Sequence, residues 1–134
     1  MFNNILSKII VLTITFLILD GIWLGLIANK MYIETLSPIL RLSNGSIQPN
    51  WPAAIVVYIA LISGIMLFVL PNAGGNLLSA LLWGAFFGFV TYATYDFTNL
   101  AVLANWSLKM SIIDTIWGMV LCGLSSFITV LITR

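Results

Sequence analysis

The sequence contains no histidine. That absence excludes Ser-His-Asp and Cys-His nucleophiles, histidine-bound zinc or iron, and haem on an axial histidine. A single cysteine, Cys122, is present. It rules out an intramolecular disulfide and a thiolate metal cage. Set in an apolar run, it reads as a small buried apolar side chain. Charge is equally scarce. Five basic and four acidic residues make up 7% of the 134 residues, where a soluble domain carries about 25%. The net charge is +1 and no Lys/Arg cluster stands ready to neutralise phosphates, so nucleic acid is not an expected partner. These gaps leave no cofactor and no metal centre to expect.

Apolar residues fill the space that charge leaves. They reach 61% of the chain, more than so small a globule can hide from water. The lipid bilayer is therefore the expected solvent and partner. Four runs are long enough to cross it, at about 20 helical residues per crossing. They cover about 9–28, 53–70, 77–103 and 110–132. Backbone groups in lipid must be satisfied within each segment, so these runs predict helices. The expected fold class is an all-α membrane protein, a bundle of four transmembrane helices in one domain. Lys8 ahead of an apolar stretch resembles a secretory signal, but the length of the run and its embedded Asp20 predict a retained helix.

The connections differ in kind. Pro71-Asn72-Ala73-Gly74-Gly75-Asn76 is rich in helix breakers and makes the second and third helices a hairpin. Asn105–Lys109 is another short link. The long connection runs from 29 to 52, with a mixed apolar and charged stretch at Tyr32–Leu36 suited to the membrane interface. Asn44-Gly45-Ser46 reads as a turn. Lys8 and Arg134 fall on one side, Lys30, Arg41 and Lys109 on the other, too even a split to fix the orientation.

One word recurs inside the spans, and it contains a charge. Asp20-Gly21-Ile22-Trp23 returns as Asp114-Thr115-Ile116-Trp117, and a third acid, Asp96, lies in Tyr92-Ala93-Thr94-Tyr95-Asp96-Phe97-Thr98-Asn99. Intramembrane carboxylates are costly and mark working sites by default. Alternating helix directions put the long loop and the Asn105–Lys109 link on one side, the loop side. At 1.5 Å per residue, Asp20 lies about 13 Å below it, Asp96 about 12 Å and Asp114 about 7 Å. All three share one half of the bilayer. Because helices one and four run in opposite directions, Trp23 lies toward the loop side of Asp20, while Trp117 lies deeper than Asp114.

Residues three and four apart share a helix face. Tyr92, Tyr95, Asp96 and Asn99 form one stripe, Thr13, Phe16, Asp20 and Trp23 a second, and Ser111, Asp114, Trp117 and Gly118 a third. Facing inward, they predict a polar pocket with aromatic walls, open to the loop side. The candidate ligand-binding set is Asp20, Asp96, Asn99, Asp114, Tyr92, Tyr95, Trp23 and Trp117. As packing aromatics, Trp23 and Trp117 would donate indole N–H groups to carboxylates. Gly84-Ala85-Phe86-Phe87-Gly88 lets the third helix pack closely on a neighbour, within the bundle or across a dimer.

Such a pocket suits a proton, cation or small polar ligand in a minimal transporter or channel. Four helices barely enclose a pathway, so transport would favour a homodimer. Two other readings stand beside it. One is a membrane-embedded enzyme on a lipid or lipid-linked substrate, with Asp96 or Asp114 as acid or base. The other is a non-catalytic assembly partner whose acids pin the bundle.

At these same residues the chain resembles a known group. Leu19–Gly25, Gly84–Gly88, the Tyr95-Asp96-Phe97-Thr98-Asn99-Leu100-Ala101 run and Asp114–Gly118 are similar to the small bacterial inner-membrane family catalogued as domain of unknown function 2177. The resemblance spans nearly the whole chain. It implies a four-helix, multi-pass protein of the bacterial cytoplasmic membrane and implies no activity.

Overall fold

A computed structural model describes residues 4–134 of the chain. Four helical spans run over Ile5–Ile27, Trp51–Ala73, Leu77–Val102 and Leu108–Thr133, each long and apolar enough to cross a membrane. In chain order the helices are α1 (Ile5–Ile22), α2 (Asn29–Leu36), α3 (Trp51–Gly64), α4 (Leu70–Ala73), α5 (Leu77–Val102) and α6 (Leu108–Thr133). The protein is a four-helix membrane bundle.

Each span opens on a side-chain cap. Asn4 accepts from the Ser7 N–H, Asn50 from Ala53, Asn76 from Ser79 and Ser107 from Met110. Each cap satisfies one of the backbone donors left over at a helix start, a need sharpened where the end nears lipid. Two turns widen to π-helical geometry, Trp23–Ile27 after α1 and Ile65–Val69 between α3 and α4. The second has its cause in the sequence. Pro71 lacks an N–H, and its ring crowds the carbonyl of Leu67, four residues back. The Leu70 N–H reaches five residues back to the Ile65 carbonyl instead.

The long connection is not a plain loop. It holds α2 and a small antiparallel hairpin, Leu42–Ser43 with Ser46–Ile47. Asn44 and Gly45 turn it with φ of 52° and 77°. Left-handed conformation at both central residues is what a tight hairpin of this hand requires.

α6 is the most buried span and the centre of the bundle, with α1 and α5 packed on it. α5 meets it through glycines. A side chain at Gly88 would collide with the Gly118 carbonyl, and one at Gly84 with the Cys122 carbonyl and Gly123. The small-residue pattern on α5 therefore packs within the bundle. Hydroxyls on the buried face of α6 bond back into their own helix: Ser126 to the Cys122 carbonyl, Thr129 to Ser125 and Thr133 to Thr129, each at 2.7 Å. The main core is apolar, built on Leu12, Phe16, Leu61, Ile65, Val69, Leu121 and Cys122. A second cluster of Ala28, Tyr32, Leu36 and Met110 closes the loop side.

Candidate functional site

The two copies of the repeated word meet. The indoles of Trp23 and Trp117 stack with centroids 4.7 Å apart and planes 7° from parallel. Each reaches the other copy's carboxylate. Trp117 Nε1 donates to Asp20 Oδ1 at 3.0 Å. Trp23 Nε1 donates to Tyr32 Oη at 3.1 Å, and that hydroxyl donates to Asp114 Oδ1 at 2.6 Å. Antiparallel helices make this exchange possible. On α1 the tryptophan lies above its aspartate, on α6 below, so each tryptophan stands level with the other helix's acid.

Asp20 is 6% exposed and fully engaged. Its second oxygen accepts from Tyr58 Oη at 2.6 Å, and the Tyr58 ring meets Phe16 edge-on at 5.9 Å. One carboxylate on α1 thus ties α3 and α6 together. Asp114 is half-buried and holds α2 through Tyr32. Burial, followed by the charge of Asp114, pushes the Tyr32 hydroxyl pKa above the usual tyrosine range. The hydroxyl therefore stays a donor to the carboxylate.

Asp96 differs from the other two. It is 2% exposed, and its Oδ2 has no hydrogen-bond partner. Its carboxyl lies near the Asp114 carboxyl and the Thr115 hydroxyl. Thr115 Oγ1 is also buried without a partner. The buried Asp96 carboxyl and Thr115 hydroxyl thus lie next to the half-buried Asp114 carboxyl. Beneath them the Tyr92 ring fills the notch left by Gly118.

The predicted residues do not all converge. Asp96, Asp114, Tyr92, Trp23, Trp117 and Asp20 gather around the contact of α1, α5 and α6. Tyr95 faces out, 58% exposed, and meets Trp106 edge-on at 5.9 Å. It is one residue, or about 100° of helix, away from Asp96, too far round to share its face. Asn99 is half-buried beside Tyr95. The expected opening to the loop side is filled: Tyr32 and its cluster lie across it, and Trp106 donates to Ser111 Oγ at 3.0 Å. Sequence reasoning did not single out Tyr32 and Tyr58 as site residues. Both lie outside the three stripes, and only their hydroxyls mark them.

Lys30 and Glu34 pair at 3.8 Å on the exposed face of α2. Lys109 is exposed in the first turn of α6. Among the described residues no group of three acids or cysteines is arranged to hold a metal ion.

A family model described as a predicted membrane protein, DUF2177, matches residues 5–131. Comparison with curated proteins and with solved structures returns no match.

Proposed function

The chain belongs to the DUF2177 family of predicted membrane proteins, and we propose that it binds and passes a proton or other small cation at Asp96 and Asp114. The carrying observation is the buried, unpartnered oxygen of Asp96 beside the Asp114 carboxyl. A buried polar atom left unpaired costs about 1–3 kcal/mol. A proton or small cation shared by the pair removes that cost and offsets the repulsion between two acids. Thr115 Oγ1 supplies a further oxygen.

The roles divide by geometry. Asp96 and Asp114 are the binding groups. Tyr32 stands on the loop side of Asp114 and must swing away, or relay through its hydroxyl, for a cation to enter there. Asp20 is satisfied by two donors and positions Trp117. A homodimer in the bacterial cytoplasmic membrane remains the setting this reading favours.

Tryptophan emission tests it, because Trp23 is one hydrogen bond from the hydroxyl on Asp114. Titration with protons, and with sodium at fixed pH, should shift the emission of the wild type. Asp96→Asn should flatten both titrations while leaving the melting temperature close to wild type. An unchanged response in Asp96→Asn would sink the reading.

A further inference from the structure

A long crevice separates α1 from α3. It encloses about 870 Å³ and runs on past the second π-helical turn to Pro71. Its walls are aliphatic, with Ile9 and Leu17 on one side and Ile59, Ile62 and Met66 on the other. From Ile55 to Leu70 the groove climbs about 22 Å at the helical rise. That exceeds the depth of one leaflet, about half of a ~30 Å hydrocarbon core. An apolar void in a bilayer forfeits dispersion contacts unless a chain fills it.

The end of the groove supplies the second half of the argument. Lys8 lines it and also lines a neighbouring cleft of about 270 Å³ with Leu70, Gly75, Thr133 and Arg134. Groove and cleft therefore adjoin at Lys8 and Leu70, the groove aliphatic along its length and the cleft carrying Lys8 and Arg134. No acidic residue lines either one. Among the described residues neither Lys8 nor Arg134 has an ion-pair partner, the single salt bridge being Lys30–Glu34. Lys8 also stands in the first turn of α1, where the helix dipole disfavours a cation. An anion at this end would offset both the bare charges and the dipole.

We propose that this groove binds an anionic phospholipid, with its phosphate at Lys8 and Arg134 and one acyl chain laid between α1 and α3. The lipid enters from the leaflet opposite the carboxyl pair. Its chain packs toward Tyr58, whose hydroxyl holds Asp20, so an occupied groove would brace that bond.

The probe is phosphatidylglycerol diluted into phosphatidylcholine nanodiscs, with lipid retained by the released protein counted by native mass spectrometry. Wild type should keep one phosphatidylglycerol in preference to phosphatidylcholine. Lys8→Gln should weaken retention about fivefold, and Lys8→Gln with Arg134→Gln about thirtyfold, from the usual worth of a basic residue at an anionic surface. Ile59→Trp fills the groove at a residue 62% exposed, leaves both cations in place and should expel the lipid. Lys8→Arg should keep it. Equal retention of the two lipids by wild type would overturn the headgroup site. Undiminished retention in Ile59→Trp would overturn the groove.

Discussion

Trp117 donates to Asp20 across the bundle at 3.0 Å while its indole stacks on Trp23 at 4.7 Å. One residue therefore carries both a hydrogen bond between α6 and α1 and the aromatic contact between the two copies of the repeated word. The hydrogen bond and the stack can be separated by substitution. Trp117→Phe keeps a ring in the stack and removes the N–H. In a double-mutant cycle with Asp20→Asn, the coupling should be about 0.6 kcal/mol and no more than about 1.7 kcal/mol, the mean and the maximum measured for hydrogen bonds between membrane helices. Unfolding in mixed micelles measures it, and a coupling near zero would mean that the two groups do not support each other.

Tyr58 is the second donor to Asp20, at 2.6 Å. Tyr58→Phe leaves one buried carboxylate oxygen without a partner, and should cost about 1–3 kcal/mol in the same unfolding measurement. Tyr95→Phe is the control. Its side chain faces out, so it should change stability by less than about 0.5 kcal/mol.

The contact of α5 with α6 depends on missing side chains. At Gly118 a methyl group would enter the Tyr92 ring, and at Gly88 it would meet backbone. A ring can tilt and a carbonyl in a helix cannot. Gly118→Ala should cost about 1–3 kcal/mol as overpacking. Gly88→Ala should cost more, and should lower the melting temperature further than Gly118→Ala does.

Tyr32 supplies a pH dependence. Burial and Asp114 raise its pKa in the folded protein. In the unfolded chain it ionises near pH 10. The folded state therefore binds the proton more tightly, and its advantage is fully present below about pH 10 and lost as pH climbs above it. Stability should fall in that alkaline window, and Tyr32→Phe should fall less steeply. Equal slopes for the two proteins would contradict the contact with Asp114.

Much of this arrangement is legible in the sequence, for physical reasons. Lipid forces each apolar run into a helix, so four spans follow from composition and length. Helix rise and alternating direction bring Asp20, Asp96 and Asp114 toward the contact of α1, α5 and α6. The opposed directions of α1 and α6 set each tryptophan against the other copy's acid. What escapes the sequence is what comes from outside the stripes. Tyr58 reaches Asp20 from α3, and Tyr32 reaches Asp114 because α2 folds back after the π-helical turn at Trp23. A widened turn shifts the register of a face by a part of a residue, which no periodic pattern records. Tyr95 shows the converse, since adjacency to Asp96 in sequence is adjacency around the helix and not on one face.

In the proposed function a small cation occupies and crosses the pair Asp96–Asp114. The most direct test is flux into sealed vesicles that contain the purified protein and a pH-sensitive dye, driven by an imposed membrane potential. Wild type should carry protons, or sodium with the matching dye, faster than empty vesicles. Asp96→Asn and Asp114→Asn, folded and inserted to the same extent, should fall to the empty-vesicle rate, and Tyr95→Phe should not. Wild-type flux in both aspartate variants would contradict the account.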